Sequence, residues 1–279
     1  MRGKGTGGRG KRNSTTTVVA LGFLLFPAFF GGPAAQDTRP LPDRQALFAV
    51  TRDNLARGQR EQVHFAYKER RTEVQTNPFG RLGTGPTRVT EYIPIEGGAA
   101  FTRQRLQRDG KPVTEPAERF VPRQRSMRRP DRSSLDDAMN TLEFKVARRE
   151  RVDGRTLVVV TFTPRPDAKP QTREGRLARY FAGTMWVDED AGEIVKAEAT
   201  ALDSISYGLG FIARLGAGTR VSLTRQQIEP GLWLPTSMRF QGQGRALLFR
   251  KLNVDYAVDW FDYRRVSPNS QRPTPQLPN

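Results

Sequence analysis

The chain has 279 residues, a net charge of +17, 36% hydrophobic residues, a single histidine and no cysteine. The missing cysteine excludes Cys nucleophiles, disulfide scaffolds, Cys-ligated zinc or iron–sulfur centres and a lipid-modified N-terminal Cys. His64 alone excludes every multi-histidine metal site and leaves one imidazole as a base.

In chain order, residues 1–17 carry Arg2, Lys4, Arg9, Lys11 and Arg12 and no acid, so 17 less 5 leaves +12 for the remainder. An uncharged Val/Leu/Phe/Ala run at 18–30 and a small-residue exit ending in Ala34 and Ala35 follow. Basic, apolar and small-residue regions in that order read as a secretory signal peptide over 1–35, cleaved after Ala34 or Ala35. The apolar run is shorter than the ~20 residues of a membrane-spanning helix. The expected location is periplasmic, with one domain over 36–266.

Asp43 as N-cap and apolar positions at Leu47, Val50 and Leu55 predict a helix that Gly58 can close. Alternation then begins: Val63, Phe65 and Tyr67 on one strand face, His64, Lys68 and Arg70 on the other. A loop over 77–86, strands near Val89–Ile95 and at 99–107, and a tight turn at Asp109-Gly110 follow. Residues 115–133 read as a polar, Arg-rich loop, with Ser133 and Asp136 as a capping box for a short helix through Leu135, Met139 and Leu142. Strands at 144–152, 156–163, 180–187, 193–202, 221–228, 232–241 and 245–258 alternate with turn signals, and 167–176 reads as a loop. Nine or ten antiparallel strands in one meander with a few short helices make an α+β domain on a large curved sheet. The Pro-rich tail at 267–279 has no hydrophobic period and is expected to be disordered.

Motifs for chemistry are weak. There is no Gly-x-Ser-x-Gly, and His64 sits in a strand pattern. Gly208 and Gly210 with Ala213 lie among antiparallel strands rather than in a dinucleotide-binding unit. Asp188, Asp190 and Glu193 read as an acidic hairpin turn lacking the ligands of a calcium loop. No cofactor or metal is expected and no enzymatic activity is assigned. The arginines at 123, 125, 128, 129 and 132 have no interleaved aromatics for base stacking, so nucleic acid is not expected. They read as a solvated loop or as a contact for an anionic membrane surface. Residues 203–218 are apolar and Gly-hinged, either a plug over the core or a lid over a cavity.

The runs Tyr180-Phe-Ala-Gly-Thr-Met-Trp-Val-Asp188, Gly192-Glu-Ile-Val-Lys-Ala-Glu198 and Gly231-Leu-Trp-Leu-Pro235 resemble a trio found in the bacterial periplasmic lipoprotein-carrier superfamily. Tyr92-Ile-Pro-Ile-Glu-Gly97, Arg108-Asp-Gly-Lys-Pro112 and Gly244-Arg-Ala-Leu-Leu-Phe249 are similar to an acidobacterial-type family of exported proteins within it. The resemblance implies an incomplete half-barrel with helices on its concave face and an apolar cavity for a lipid or acylated protein. Candidate lining residues are Phe65, Tyr67, Trp186, Phe211, Ile212, Trp233, Met238, Phe240 and Tyr256, each of which also suits ordinary core. The expected function is a non-catalytic carrier or sensor; the alternative is an envelope scaffold or regulatory domain with a filled core.

Overall fold

A computed structural model describes residues 39–76, 82–121, 132–207, 213–246 and 250–266. The chain opens with α1 (Arg44–Glu61), whose N-cap Asp43 accepts from the Ala46 N–H. A 3-10 turn over Gln62–His64 follows, so His64 lies in a turn and not in the strand that its sequence neighbours suggest. The strands in chain order are β1 (Phe65–Thr76), β2 (Leu82–Ile95), β3 (Ala100–Arg108), β4 (Lys111–Pro112) and β5 (Glu118–Phe120). Helix α2 (Arg132–Asn140) leads into β6 (Leu142–Val152) and β7 (Arg155–Pro164). Helix α3 (Arg173–Ala178) replaces the loop expected there, because the Thr172 side chain caps it by accepting from Gly175 N–H. The chain then forms β8 (Phe181–Asp188), β9 (Glu193–Ala201), β10 (Ile205–Tyr207), β11 (Ala213–Leu215), β12 (Arg220–Glu229), β13 (Leu232–Ala246) and β14 (Arg250–Arg265).

These strands form one sheet, ordered β4-β3-β2-β1-β14-β13-β12-β9-β8-β7-β6, with β5, β10 and β11 attached off this path. Two expectations change. The strand number exceeds nine or ten, because β5 pairs with β3 inside the expected polar loop and β10 and β11 form a hairpin inside the apolar segment. The order departs from a plain meander because β1 pairs with β14 and β9 with β12. The sheet ends at β4 and β5 on one side and at β6 on the other, and β5 and β6 flank the stretch of chain that holds the Arg-rich 123–132 cluster, which lies outside the described residues apart from Arg132. The Pro-rich tail and the residues before 39 also lie outside them.

Helix α1 lies across the strands. Its 18 residues span about 27 Å at ~1.5 Å per residue, close to the width of six strands at ~4.8 Å spacing. Arg44 Nη1 donates to Phe144 O on β6, and Leu47 packs on Val158 and Val160 of β7 and on Met185 and Val187 of β8. Asn54 Nδ2 donates to Ala191 O and Gly192 O in the β8–β9 turn, and Arg57 Nη2 to Gly231 O in the β12–β13 turn. The sheet therefore curves around one helix. Gly192 has φ of 63°, and a Cβ there would overlap Val50, so this turn needs glycine on both counts.

At the far end of α1, Glu193 and Arg225 are almost fully buried and paired, with Arg225 Nη1 to Glu193 Oε2 at 2.7 Å. Arg57 Nη2 lies 3.5 Å from Glu193 Oε1, and Arg225 Nη2 donates to Trp233 O at 2.7 Å. Burial raises the Glu193 carboxyl above its ordinary range against the pull of Arg225 and Arg57, and lowers the Arg225 guanidinium despite Glu193. This knot fixes α1 to β9, β12 and β13.

Candidate functional site

Paired residues in antiparallel strands share a face. One row crosses the helix-bearing face as Val146, Val160, Met185, Ala197, Leu223, Met238 and Val258, then continues as Arg71, Arg88 and Arg108. Under α1 the face is apolar and filled; past β14 it becomes cationic. A cavity lies at each end.

The first, of about 520 Å³, runs between α1, α2 and the β6 edge. Phe48, Met139, Leu142 and Phe144 give it apolar walls, and Arg44, Arg52, Asp136, Glu143, Arg165 and Asp167 surround them. Phe48 and Phe144 meet at 4.6 Å between ring centroids, and Phe144 continues to Phe162 at 6.2 Å, so the groove floor joins the core. Leu142, Phe144 and Val146 alternate inward along β6 and prefer burial; α1 covers only part of them. Asp137 ties α2 to the start of α3 by accepting from Thr172 Oγ1 at 2.6 Å and Thr172 N at 2.7 Å. Those bonds hold its carboxyl below the usual range.

The second cavity, about 320 Å³, sits over β1, β2 and β3. Strand alternation puts Tyr67, Glu69 and Arg71 on one face of β1, opposite Tyr92, Thr90 and Arg88 of β2, which in turn face Arg103, Arg105 and Arg108 of β3. Glu69 is buried and accepts from Arg71 Nη2 at 3.0 Å and from Trp260 Nε1 at 3.1 Å. Arg103 Nε donates to Glu118 at 3.0 Å and Arg105 Nη1 to Glu115 at 2.7 Å. Burial acts most strongly on the Arg71 guanidinium and would lower it, but the charge and hydrogen bond of Glu69, together with Tyr256 and Tyr92, leave the group raised. Burial, aided by Glu69, raises the Tyr92 phenol, which stays protonated and able to donate. Tyr92 belongs to an aromatic group with Tyr67 at 5.2 Å, Phe120 at 6.0 Å and Phe101 at 6.4 Å.

The nine residues nominated from the sequence are dispersed. Phe65 is sealed against Leu232, Leu234 and Tyr263 under Arg265. Tyr67 stacks on Tyr92 beside the cationic cavity, and Tyr256 lies under the Arg71 guanidinium at 5.7 Å. Met238 belongs to the apolar row, and Phe240 packs with Ala201, Ile205 and Leu177. Trp186 pairs with Val159, not with inward Val160, so it occupies the sheet's other face; Glu150 Oε2 accepts from its Nε1 and Lys196 lies over its ring. Trp233 is buried under Arg155, 4.9 Å away. Phe211 and Ile212 lie outside the described residues, as does the tip of the 203–218 segment, whose base is anchored by buried Ile205. Of the seven that are described, none lines the groove, while Tyr67, stacked on Tyr92, and Tyr256, under Arg71, lie beside the cationic cavity. Asp188, read as part of an acidic turn, accepts from the N–H groups of Asp190 and Ala191 and from Arg155.

The groove residues Phe48, Met139 and Leu142 carry a helical signal in the sequence, but their convergence depends on how α1 crosses the sheet. The arginines of the second cavity were reachable by extending the Phe65–Tyr67 alternation to Glu69 and Arg71.

No protein-family model and no curated protein matches the chain. Among solved structures it is similar to a DUF1329 family protein from Desulfovibrio piger, at 15% identity and TM-score 0.30 over 78% of this chain and 92% of that one. It is also similar to a putative outer membrane lipoprotein-sorting protein domain from Vibrio parahaemolyticus, at 11% identity and TM-score 0.30 over 77% and 91%. MucB, solved in complex with MucA, gives 12% identity and TM-score 0.26 over 81% of this chain and 100% of that one. The solved neighbours thus include the lipoprotein-sorting superfamily that the sequence motifs resemble, and the acidobacterial-type family is not among those named.

Proposed function

We propose that the protein is a non-catalytic carrier or sensor of the bacterial envelope that holds the acyl part of a lipid or lipidated protein. The observation that carries this reading is the groove between α1, α2 and the β6 edge, where Phe48, Met139, Leu142 and Phe144 face open space. Its volume of about 520 Å³ lies in the range of about 300–1,000 Å³ that suits small ligands. Burial at ~0.8 kcal/mol per methylene gives an acyl chain ample affinity without a reacting group. The charged rim would meet the polar end of the ligand. The signal-like N-terminus and the sequence resemblance support an envelope location; among the described residues no helix is long and apolar enough to cross a membrane.

The filled interior between α1 and strands β7 and β8 favours a second reading, an envelope scaffold that binds a protein partner. Native mass spectrometry of the purified protein and titration with a fluorescent fatty acid separate the two. Saturable binding that is lost in Phe144→Asp, with the circular dichroism spectrum kept, supports the carrier. No co-purified lipid and no saturable probe signal favour the scaffold.

A further inference from the structure

We propose that the cavity over β1, β2 and β3 is a binding site for a phosphate group, separate from the acyl groove at the other end of the sheet. Four guanidiniums line it, from Arg71, Arg88, Arg103 and Arg105, against three carboxylates, from Glu69, Glu115 and Glu118. Glu69 pairs with Arg71, Glu118 with Arg103 and Glu115 with Arg105. With four guanidiniums to three carboxylates the lining is net positive, and Arg108 continues the same row.

The register concentrates that excess. Arg71, Arg88 and Arg108 stand directly opposite one another on three adjacent strands. Like charges directly opposite in a sheet repel, and the half-buried Arg71 and Arg88 are less screened than the exposed Arg108. An oxyanion among them turns that repulsion into shared attraction. A carboxylate satisfies one guanidinium fork, whereas a phosphate offers oxygens in several directions to forks arriving from three strands. Thr90 and the protonated Tyr92 line the same space and add hydroxyl donors. Glu69, held by Trp260 and Arg71, keeps the Arg71 guanidinium in place.

The phosphate could belong to a lipid headgroup or be free in solution, and two arms distinguish these. Calorimetry of the full chain with inorganic phosphate, with acetate for comparison, tests the ion. Flotation with phosphatidylcholine vesicles doped with phosphatidic acid tests the headgroup. Arg88→Gln should weaken binding in the responding arm by at least about tenfold, the usual worth of one charged hydrogen bond. Arg151→Gln, exposed on β6, should leave it unchanged. If Arg88→Gln fails to fold by circular dichroism, Arg105→Gln replaces it, since that side chain is a third exposed. Binding in the vesicle arm alone assigns the headgroup; binding of inorganic phosphate assigns the free ion. No saturable binding in either arm, acetate bound as tightly as phosphate, or equal weakening by Arg151→Gln would overturn the site.

Discussion

Replacing Arg225 by methionine tests whether the buried knot beneath α1 holds the groove wall in place. In the native protein Glu193 is 2% exposed and Arg225 5% exposed, so neither charge has water to fall back on. Arg225→Met leaves the Glu193 carboxylate with only Arg57, at 3.5 Å, and leaves Trp233 O without its guanidinium donor. Removing one partner of such a pair costs about 3–5 kcal/mol, a large share of the ~5–15 kcal/mol that holds a domain folded. Glu193→Leu strands the arginine in the same way. The double variant removes both charges and should recover most of the loss, since an apolar pair of similar volume is often neutral.

Urea denaturation of the four proteins measures the cycle. The pH adds a second test with a fixed sign. The folded Glu193 carboxyl titrates above its unfolded value, so its contribution is fully present below the unfolded pKa and is lost as pH rises through the folded one. Without Arg225 the folded value rises further, so the Arg225→Met deficit should shrink as the pH is lowered from 7 toward ~5, above the ordinary carboxylate range. A deficit under ~1 kcal/mol, or a double variant no better than the singles, would refute the reasoning.

Three more outcomes follow from the geometry. Trp186→Phe removes the bond to Glu150 on the face away from both cavities, so it should cost about 1 kcal/mol by urea denaturation and leave fatty-acid probe affinity unchanged. Asp137→Asn weakens the bonds that join α2 to α3; because the native carboxyl titrates low, its stabilisation is present above the unfolded pKa and fades as pH falls through the folded one, so the variant's melting temperature should vary less with pH in acid than the parent's. Met139→Glu, on the groove wall, should abolish probe binding while the melting temperature moves by only a few degrees.

Turn and alternation signals made much of the sheet legible. Asp109-Gly110 and Asp153-Gly154 occupy left-handed backbone at hairpin turns, with φ of 50° and 74° and of 50° and 78°. Asp43 caps α1 where its spacing puts it. Three short elements escaped: α3 depends on one Thr172 cap, β5 forms only because β3 offers an edge, and the β10–β11 hairpin is hidden by its apolar composition. The site was harder to read. Aromatic residues stand out in sequence and go wherever burial is available, so Phe65 and Trp233 ended in sealed positions. The groove and the cationic cavity are made by helix placement and by registers between strands distant in sequence, which no local pattern encodes.

The pairing of β1 with β14 also dictates an order of events in folding. Phe65 meets Arg265 and Ala66 meets Arg264, so the middle of the sheet is a seam between the first and the last of its described strands. Such contacts close the longest possible loop and form late, and topologies dominated by them fold slowly. Until β14 is available, the backbone edges of β1 and β13 have no strand between them. The two halves of the sheet, one bearing the groove and the other the arginines, can each gather locally but become one surface only when the chain is complete.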